Sequence, residues 1–497
     1  MRRVVIVGAG LGGLSAACHL SGRQGYEVTL LERARIPGGR AGVIELGGYR
    51  MDPGPVVLTM PDILENVFRA AGAASSDHVR VRPLDPMYRG VFDDGSQLRL
   101  RHGVEAMTEE IRSFAGPKEA ANFGRFAAWL TELNSVETPN FIDRNFDSVL
   151  DLVRPLSPGL KLLRLGGFRK LHRLVAEYFS DPRLQKMFSF QAMYAGLSPF
   201  QALGAYAIIT YMDSIAGVYC AEGGIHAVST GLADAAEKAG VHIRYGENVE
   251  RVLQANGTHG AVRGVLLASG EVIAADVVVV NADTPVAYTS LLPQLTMPRV
   301  LRTGHYSPSC ALWLAGVKGQ LPADAEHHNI HFGSQWRESF NALLNTGERQ
   351  PDPSILVTIP TVSDPALAPA GSDVERHVLY VLEPTPNLSG RINWDTERER
   401  VQADLRRRVG AAGYPVEVEV ETFFDPTDWE RQGMALGTPF ALSHRFFQTG
   451  PFRARNIERR VPGLVFVGSS TVPGVGVPMV LLSGRLAALR VDQYAAA

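Results

Sequence analysis

Short, uninterrupted apolar runs recur along this chain, each closed by glycine or an acid. They are Val4-Val5-Ile6-Val7 before Gly8, the run from Glu27 to Glu32, Val277-Val278-Val279-Val280 after Asp276, and Leu464-Val465-Phe466-Val467 before Gly468. Apolar runs without polar alternation mark strands covered on both faces, the pattern of a parallel sheet. Val241 to Tyr245 reads as a further strand, followed by the run from Glu247 to Val252. Segments with helical spacing begin at Leu11, continue from Gly223-Gly224 through Lys238, and close the chain from about Met479 to Val491. Between Ala261 and Ala275 the pattern alternates around Ser269-Gly270, which predicts a small hairpin. Leu312–Val317, Ser354–Ile359 and His377–Leu382 predict the strands of a second sheet, whereas the chain from Val104 onward reads as mostly helical. Ala202 to Tyr219 predicts one buried helix, interrupted by Asp213. No window offers the roughly 18 uninterrupted apolar residues of a membrane span.

Strand, Gly8-Ala9-Gly10-Leu11-Gly12-Gly13, helix, and a second strand ending in Glu32 form a dinucleotide-binding unit. Gly8 permits the tight turn, Gly10 lets the backbone approach a pyrophosphate, and Gly13 lets the helix pack closely on the sheet. The helix N-terminus offers free N–H groups and positive dipole to phosphate. Glu32 sits where an acid accepts from ribose hydroxyls, and an acid there disfavours a 2′-phosphate.

At 497 residues the chain is too long for one core, and with 45% hydrophobic residues it fills two. A net charge of −2 without a basic run argues against nucleic acid as partner. Cys18, Cys220 and Cys310, far apart and odd in number, fit a reducing cytoplasm rather than a disulfide framework. A fold starting at about residue 3 leaves no room for a cleaved leader.

Pro37-Gly38-Gly39-Arg40, then Gly48 to Pro55 with Asp52, resemble the run that FAD-dependent amine oxidases and carotenoid desaturases carry after this first unit. Further matches are Phe188-Ser189-Phe190 with Pro199-Phe200, Gly217-Val218-Tyr219 before Glu222-Gly223-Gly224, Asn281-Ala282-Asp283, and Asp364 to Gly371. Most specific is the block Gly463 to Pro478, with Thr471, Pro473, Gly474 and Gly476. On these residues the chain resembles the bacterial-type phytoene desaturases, a branch of the flavin amine oxidases. Val472 and Met479 depart from the histidine and glycine usual there. The resemblance implies an amine-oxidase-like α/β fold. Its discontinuous, Rossmann-like FAD-binding domain would comprise residues 1–72, 221–294 and 436–497, and an α+β substrate and membrane-docking domain residues 73–220 and 295–435. FAD contacts would come from Gly8, Gly10, Gly12, Gly13, Glu32, Arg33, Gly38, Gly39, Arg40, Gly468, Gly476, Pro478 and Met479, with Val249 meeting the adenine through its backbone. The implied activity is desaturation of a carotenoid precursor, most directly phytoene to lycopene-type products. Alternatives in the family are 3,4-desaturation, ketolation and polyene isomerisation. A non-enzymatic prenyl-binding escort has no need of the glycines and Glu32 together, and a soluble amine oxidase would place an aromatic pair over the flavin.

Such chemistry needs a tunnel for a long apolar isoprenoid rather than a triad, and neither GxSxG nor HExxH occurs. Asp147 is the candidate catalytic acid that the resemblance offers, and Asp213 is a second carboxylate. As residues, both are better explained as helix caps or surface groups. Phe188, Phe190, Tyr194, Phe200, Tyr206 and Tyr211 line a tunnel or fill a core. His327, His328 and His331 read as solvent-facing in a polar loop, and no metal site is expected. Gly159 to Leu174 mixes leucines with Lys161, Arg164, Arg169 and Lys170 and holds no acid. It suits docking on a membrane, here the inner face of the cell membrane, as well as it suits an ordinary cytosolic helix.

Overall fold

The computed structural model describes residues 1–153, 156–255, 260–370 and 374–496. Gly371, at the end of the matched run from Asp364, lies outside them. The apolar runs assemble as one five-stranded sheet, all parallel, in the order His242–Tyr245, Tyr26–Glu32, Arg2–Val7, Val277–Val280, Leu464–Phe466. Three stretches far apart in sequence therefore build a single sheet. Its central strands carry apolar residues on both sides because both faces are covered. One face takes the helices Leu11–Ser21, His226–Lys238 and Val477–Ala496. The other takes a three-stranded antiparallel layer, Val249–Gln254, Val262–Leu267 and Val272–Ala274, through Val252, Val265 and Leu267.

Glycine sets how closely these helices approach. A Cβ on Gly13 would lie 2.1 Å from the carbonyl oxygen of Gly8, so the first helix is pressed onto the turn that precedes it. A Cβ on Gly484 would lie 2.4 Å from Ser15 Oγ, and Ser15 donates to the carbonyl of Leu481 at 2.7 Å. The first and last helices are thus locked together at backbone distance.

The second sheet has seven strands, in the order Glu417–Phe424, Ser309–Lys318, Arg376–Thr385, Ile355–Thr358, His328–His331, Tyr88–Val91, Gln97–Leu100. The three strands expected between residues 312 and 382 are its middle. Its far edge, 88–100, comes from the stretch before the helical region. Trp313, Val381 and Val357 pack with Val401, Leu405 and Val409 of the helix Trp394–Ala411. The helical region includes Val104–Ala115, Pro117–Glu137, Leu156–Arg164 and Leu171–Tyr178, cored by Phe123, Phe126, Phe179 and Phe188. Phe179 and Phe188 stack at 5.1 Å.

The single helix expected over Ala202–Tyr219 is shorter. It spans Ala207–Ser214 after a tight turn at Gly204–Tyr206, and Val218–Ala221 is a strand between Leu58–Thr59 and Val81–Pro83. Gly217, at φ +101°, ends the helical path. Among the described residues no helix is long and apolar enough to cross a membrane.

Gly484→Val, which forces a branched side chain against Ser15, should cost on the order of 1–3 kcal/mol through overpacking. The thermal denaturation midpoint should fall, and an unchanged midpoint would contradict the backbone-distance contact.

Candidate functional site

The C-terminal ends of the parallel strands open into a cavity of 1570 Å³, which extends under the seven-stranded sheet and out between the helices. Drug-sized ligands occupy about 300–1,000 Å³, so this volume suits a dinucleotide together with a second, long ligand.

The strand Arg2–Val7 ends at Gly8, whose φ of +102° turns the chain sharply. Gly10 precedes the helix Leu11–Ser21 without a side-chain cap, so the N–H groups of its first turn are left to the cavity. Gly10 and Gly12 leave room for Asn281, since a Cβ on either would lie within 3 Å of its side-chain amide. Asn281 follows the strand Val277–Val280 and donates to the carbonyl of Gly8 at 3.2 Å. Glu32 is buried at the end of its strand, where Oε2 accepts from the N–H of Ala9 at 2.7 Å and Oε1 from that of Ala34 at 2.8 Å. Each oxygen keeps a lone pair for a further donor. Arg33 donates to the carbonyl of Gln432 at 2.8 Å. Gly38, at φ +123°, and Gly39 lead to Arg40, which donates to Ser469 Oγ at 2.6 Å. No carboxylate lies within ion-pair distance of Arg40 among the described residues, and burial pulls its pKa down. An unpaired cation facing a cavity beside free helix N–H groups suits a diphosphate.

Of the residues read from the sequence as cofactor contacts, Gly8, Gly10, Gly12, Glu32, Arg33, Gly38, Gly39, Arg40, Val249, Gly468, Gly476, Pro478 and Met479 all line this cavity. Gly13 does not; it lies behind, against Gly8. The C-terminal loop ends at the helix Val477–Ala496, whose first residues also line the cavity. Gly476, at φ +108°, has no atom within 4 Å of where a Cβ would sit.

Two residues that fix this loop had no role legible in the sequence. Arg453, fully buried, donates to the carbonyls of Thr471 at 3.0 Å, Ser469 at 2.7 Å, Leu442 at 3.2 Å and Gln448 at 3.3 Å. Burial lowers its pKa to about 10. Asp283 accepts from the Ser470 hydroxyl and from the N–H of Ala435, the latter at 2.8 Å. Asp283 stood in a recognised run, whereas a lone arginine bonded to carbonyls leaves no sequence pattern.

The remainder of the cavity is apolar, with Ile208, Ile209, Met212, Tyr380, Leu382 and Phe440 on its walls. Tyr194 and Tyr206 line it, but Phe188, Phe190, Phe200 and Tyr211 do not; Phe188 and Phe190 belong to the helical core. Asp147 is also absent from the lining. Its side chain is half exposed and meets Arg490 at 2.8 Å and Arg459 at 3.9 Å, an ion-pair role rather than a catalytic one. Asp213 does the reverse of what was expected: it is 7% exposed, lines the cavity, and burial pushes its pKa up to about 7. Glu137, equally buried, lines the cavity with Oε1 unpartnered, and burial raises its pKa well above the carboxylate range.

The histidines are not solvent-facing. His327 and His328 are buried, and His328 and His331 lie on an inner strand of the seven-stranded sheet. Nδ1 of His327 pairs with Ser363 Oγ at 2.8 Å, Nδ1 of His328 with Thr358 Oγ1 at 2.8 Å, and Nε2 of His331 with the Tyr414 hydroxyl at 3.0 Å. Burial lowers their pKa values to about 4, 3 and 4. Among the described residues no cluster of His, Cys, Asp and Glu is arranged to hold a metal.

Residues 11–492 match the family of flavin containing amine oxidoreductases. A phytoene dehydrogenase from Streptomyces griseus is 44% identical over 98% of this chain and 94% of its own length. A zeta-carotene-forming phytoene desaturase from Myxococcus xanthus is 35% identical over 99% and 94%. An oxidoreductase of known structure from Methanosarcina mazei covers 97% of this chain and 99% of its own at a TM-score of 0.62 and 17% identity, a likeness of fold. The cradle of glycines, Glu32 and Arg40 fits the flavin dinucleotide that defines the family, so the chain is an FAD-dependent oxidoreductase. It belongs to the flavin-containing amine oxidoreductases, in their bacterial-type phytoene desaturase branch.

Proposed function

We propose that the chain desaturates an acyclic carotenoid precursor, phytoene first, toward lycopene-type products, while docked on the inner face of the cell membrane. One observation carries this reading. Leu156, Leu160, Leu163, Phe168 and Phe446 line the cavity that holds the glycine cradle and are also large apolar side chains exposed at the surface. The apolar path thus runs from the cradle to a rim that water wets poorly, as delivery of a lipid-soluble chain requires.

FAD, when bound, supplies the acceptor for a hydride. The protein's part is to hold, align and keep dry. In this reading Glu32 accepts from the ribose hydroxyls, Arg40 and the first turn of the helix Leu11–Ser21 face the diphosphate, and Gly38-Gly39 let the cofactor pass. Val249 would meet the adenine through its backbone. Gly468, Gly476, Pro478 and Met479 would bring the N-terminal dipole of the helix Val477–Ala496 to the flavin, where it would favour negative charge. Ile208, Met212 and Leu382 would align the polyene and exclude water.

The rim supports docking through apolar side chains more than through charge. Leu156 is 70% and Phe447 73% exposed. Phe446 packs edge-on against Phe447 at 5.1 Å and against Phe168 at 6.1 Å. Burying such a side chain in the acyl boundary is worth about 1.5–3 kcal/mol. The cations are partly spent within the protein: Lys161 pairs with Glu132 at 3.1 Å, Arg169 with Glu177, and Lys170 donates to the carbonyl of Gln201 at 2.9 Å.

Cells that accumulate phytoene and express this chain should yield extracts with new visible absorption bands. Colourless extracts from cells containing soluble, flavin-loaded protein would overturn the reading. Glu32→Ala should lower the FAD retained through purification by at least tenfold, measured as the ratio of flavin to protein absorbance; an unaltered ratio would remove the ribose assignment. Replacing Leu160, Leu163 and Phe447 by aspartate should abolish sedimentation with anionic liposomes. Removing the four cations Lys161, Arg164, Arg169 and Lys170 should weaken it only severalfold. Unchanged sedimentation of the aspartate variant would contradict docking through the rim.

A further inference from the structure

Removing hydrogen from two adjacent carbons sends a hydride to the flavin and leaves a proton that needs an acceptor in a dry cavity. Resting on the function proposed above, we propose that the carboxylate of Asp213 is that acceptor. The C–H bond next to the hydride-donating carbon breaks, its electron pair becomes the second bond of the new C=C, and its proton passes to an oxygen of Asp213. The two electrons leave with the hydride to oxidised FAD, and Asp213 returns its proton to water between turnovers.

The surroundings of Asp213 favour it over other carboxyls of the cavity. It stands in the last turn of the helix Ala207–Ser214, beside Met212 on the apolar wall. Three neutral donors from three elements orient it: the Ser214 hydroxyl to Oδ1 at 2.6 Å, Gln191 Nε2 to Oδ1 at 3.4 Å, and the Tyr88 hydroxyl to Oδ2 at 3.4 Å. Gln191 is itself fixed, donating to the Tyr88 hydroxyl at 3.2 Å and to the carbonyl of Met187 at 3.0 Å. No cation lies within ion-pair distance among the described residues. An asparagine could accept from Ser214 and Gln191 at Oδ1 and donate its Nδ2 to the Tyr88 hydroxyl without the cost of a buried charge, so hydrogen bonding alone does not require a carboxyl here.

The other candidates are engaged or in the wrong state. Glu32 accepts two backbone N–H groups, and Asp283 holds the C-terminal loop through Ser470 and Ala435. Glu247 is paired with Arg244 at 2.6 Å. Burial raises the pKa of Glu137 well above the carboxylate range, which favours its protonated form. His444 lines the cavity, but burial holds its pKa well below the usual imidazole range, so it binds a proton weakly.

The titratable groups facing Asp213 are Tyr88 from the sheet and Tyr194 from the turn Phe190–Ala195; burial raises the pKa of Tyr88, and that of Tyr194, which lines the cavity, is raised as well, so both stay neutral. His328 packs edge-on against Tyr88 at 6.2 Å and is neutral also. Asp213 alone in this group titrates near neutrality, at about 7, and as a base it works only when deprotonated. The rate should therefore rise with pH through that region and level off above it.

The test is anaerobic reduction of the FAD-loaded protein by phytoene in liposomes, followed as loss of oxidised-flavin absorbance across pH. Asp213→Asn should keep its flavin and half-saturating phytoene while the rate at saturation falls at least 100-fold and the low-pH limb disappears. Asp213→Glu should recover part of the rate and keep a limb with a displaced midpoint. A rate for Asp213→Asn within about threefold of wild type, a limb that survives in it, or a change in half-saturation alone would overturn the assignment. If Asp213→Asn does not fold, the glutamate variant decides, because a midpoint that does not move excludes Asp213. Wild-type protein that binds FAD but is not reduced by phytoene refutes instead the function on which the assignment rests.

Discussion

Everything at the site depends on the contact between Gly484 and Ser15. It joins the first and last helices, separated by most of the chain, at a distance that no side chain on Gly484 permits. Because they are locked side by side on one face of the parallel sheet, their N-termini open into the same cavity. Two positive helix ends in one enclosed space suit a ligand with negative charge at two places, as a diphosphate and an electron-accepting flavin ring provide. Arg453 and Asp283 then hold the loop before the last helix from below and from the side, through carbonyls and a hydroxyl.

The parts of this arrangement governed by backbone and burial were legible in the sequence. Val4–Val7 and Val277–Val280 read as strands covered on both faces, and the glycines after Val7 as a turn that a ligand and the following helix approach closely. Other features rest on contacts between distant residues. The last two strands at one end of the second sheet, Tyr88–Val91 and Gln97–Leu100, are four residues each and too short to show a period. The histidines were misplaced because His327-His328 sits beside acids in sequence, while in space Ser363, Thr358 and Tyr414 each bond one ring nitrogen in the interior. Asp213 was misread for a related reason: a carboxylate in an apolar run looks like the end of a helix, and here that end faces an interior cavity.

Polarity is sharply divided across the cavity. Its cradle holds Arg40, Glu32, backbone N–H groups and the ends of two helices, and its remaining walls are almost wholly apolar. Ionisable carboxyls on the apolar side are confined to two whose pKa values burial raises, Glu137 and Asp213. Such a division suits a hydrocarbon beside a charged cofactor, because a cation on that wall would be costly to desolvate and would have nothing to pair with. The apolar side reaches the surface at the exposed side chains of Leu156, Leu160 and Phe168.

In the proposed reaction the flavin held by the cradle oxidises the polyene held by the apolar path. The most direct measurement records flavin and polyene absorbance simultaneously while FAD-loaded protein is mixed anaerobically with liposomes containing phytoene. Oxidised-flavin absorbance should fall as absorbance of a longer conjugated chain rises, in equimolar proportion over the first turnover. Protein that sediments with the liposomes yet keeps its flavin fully oxidised would contradict the proposed reaction.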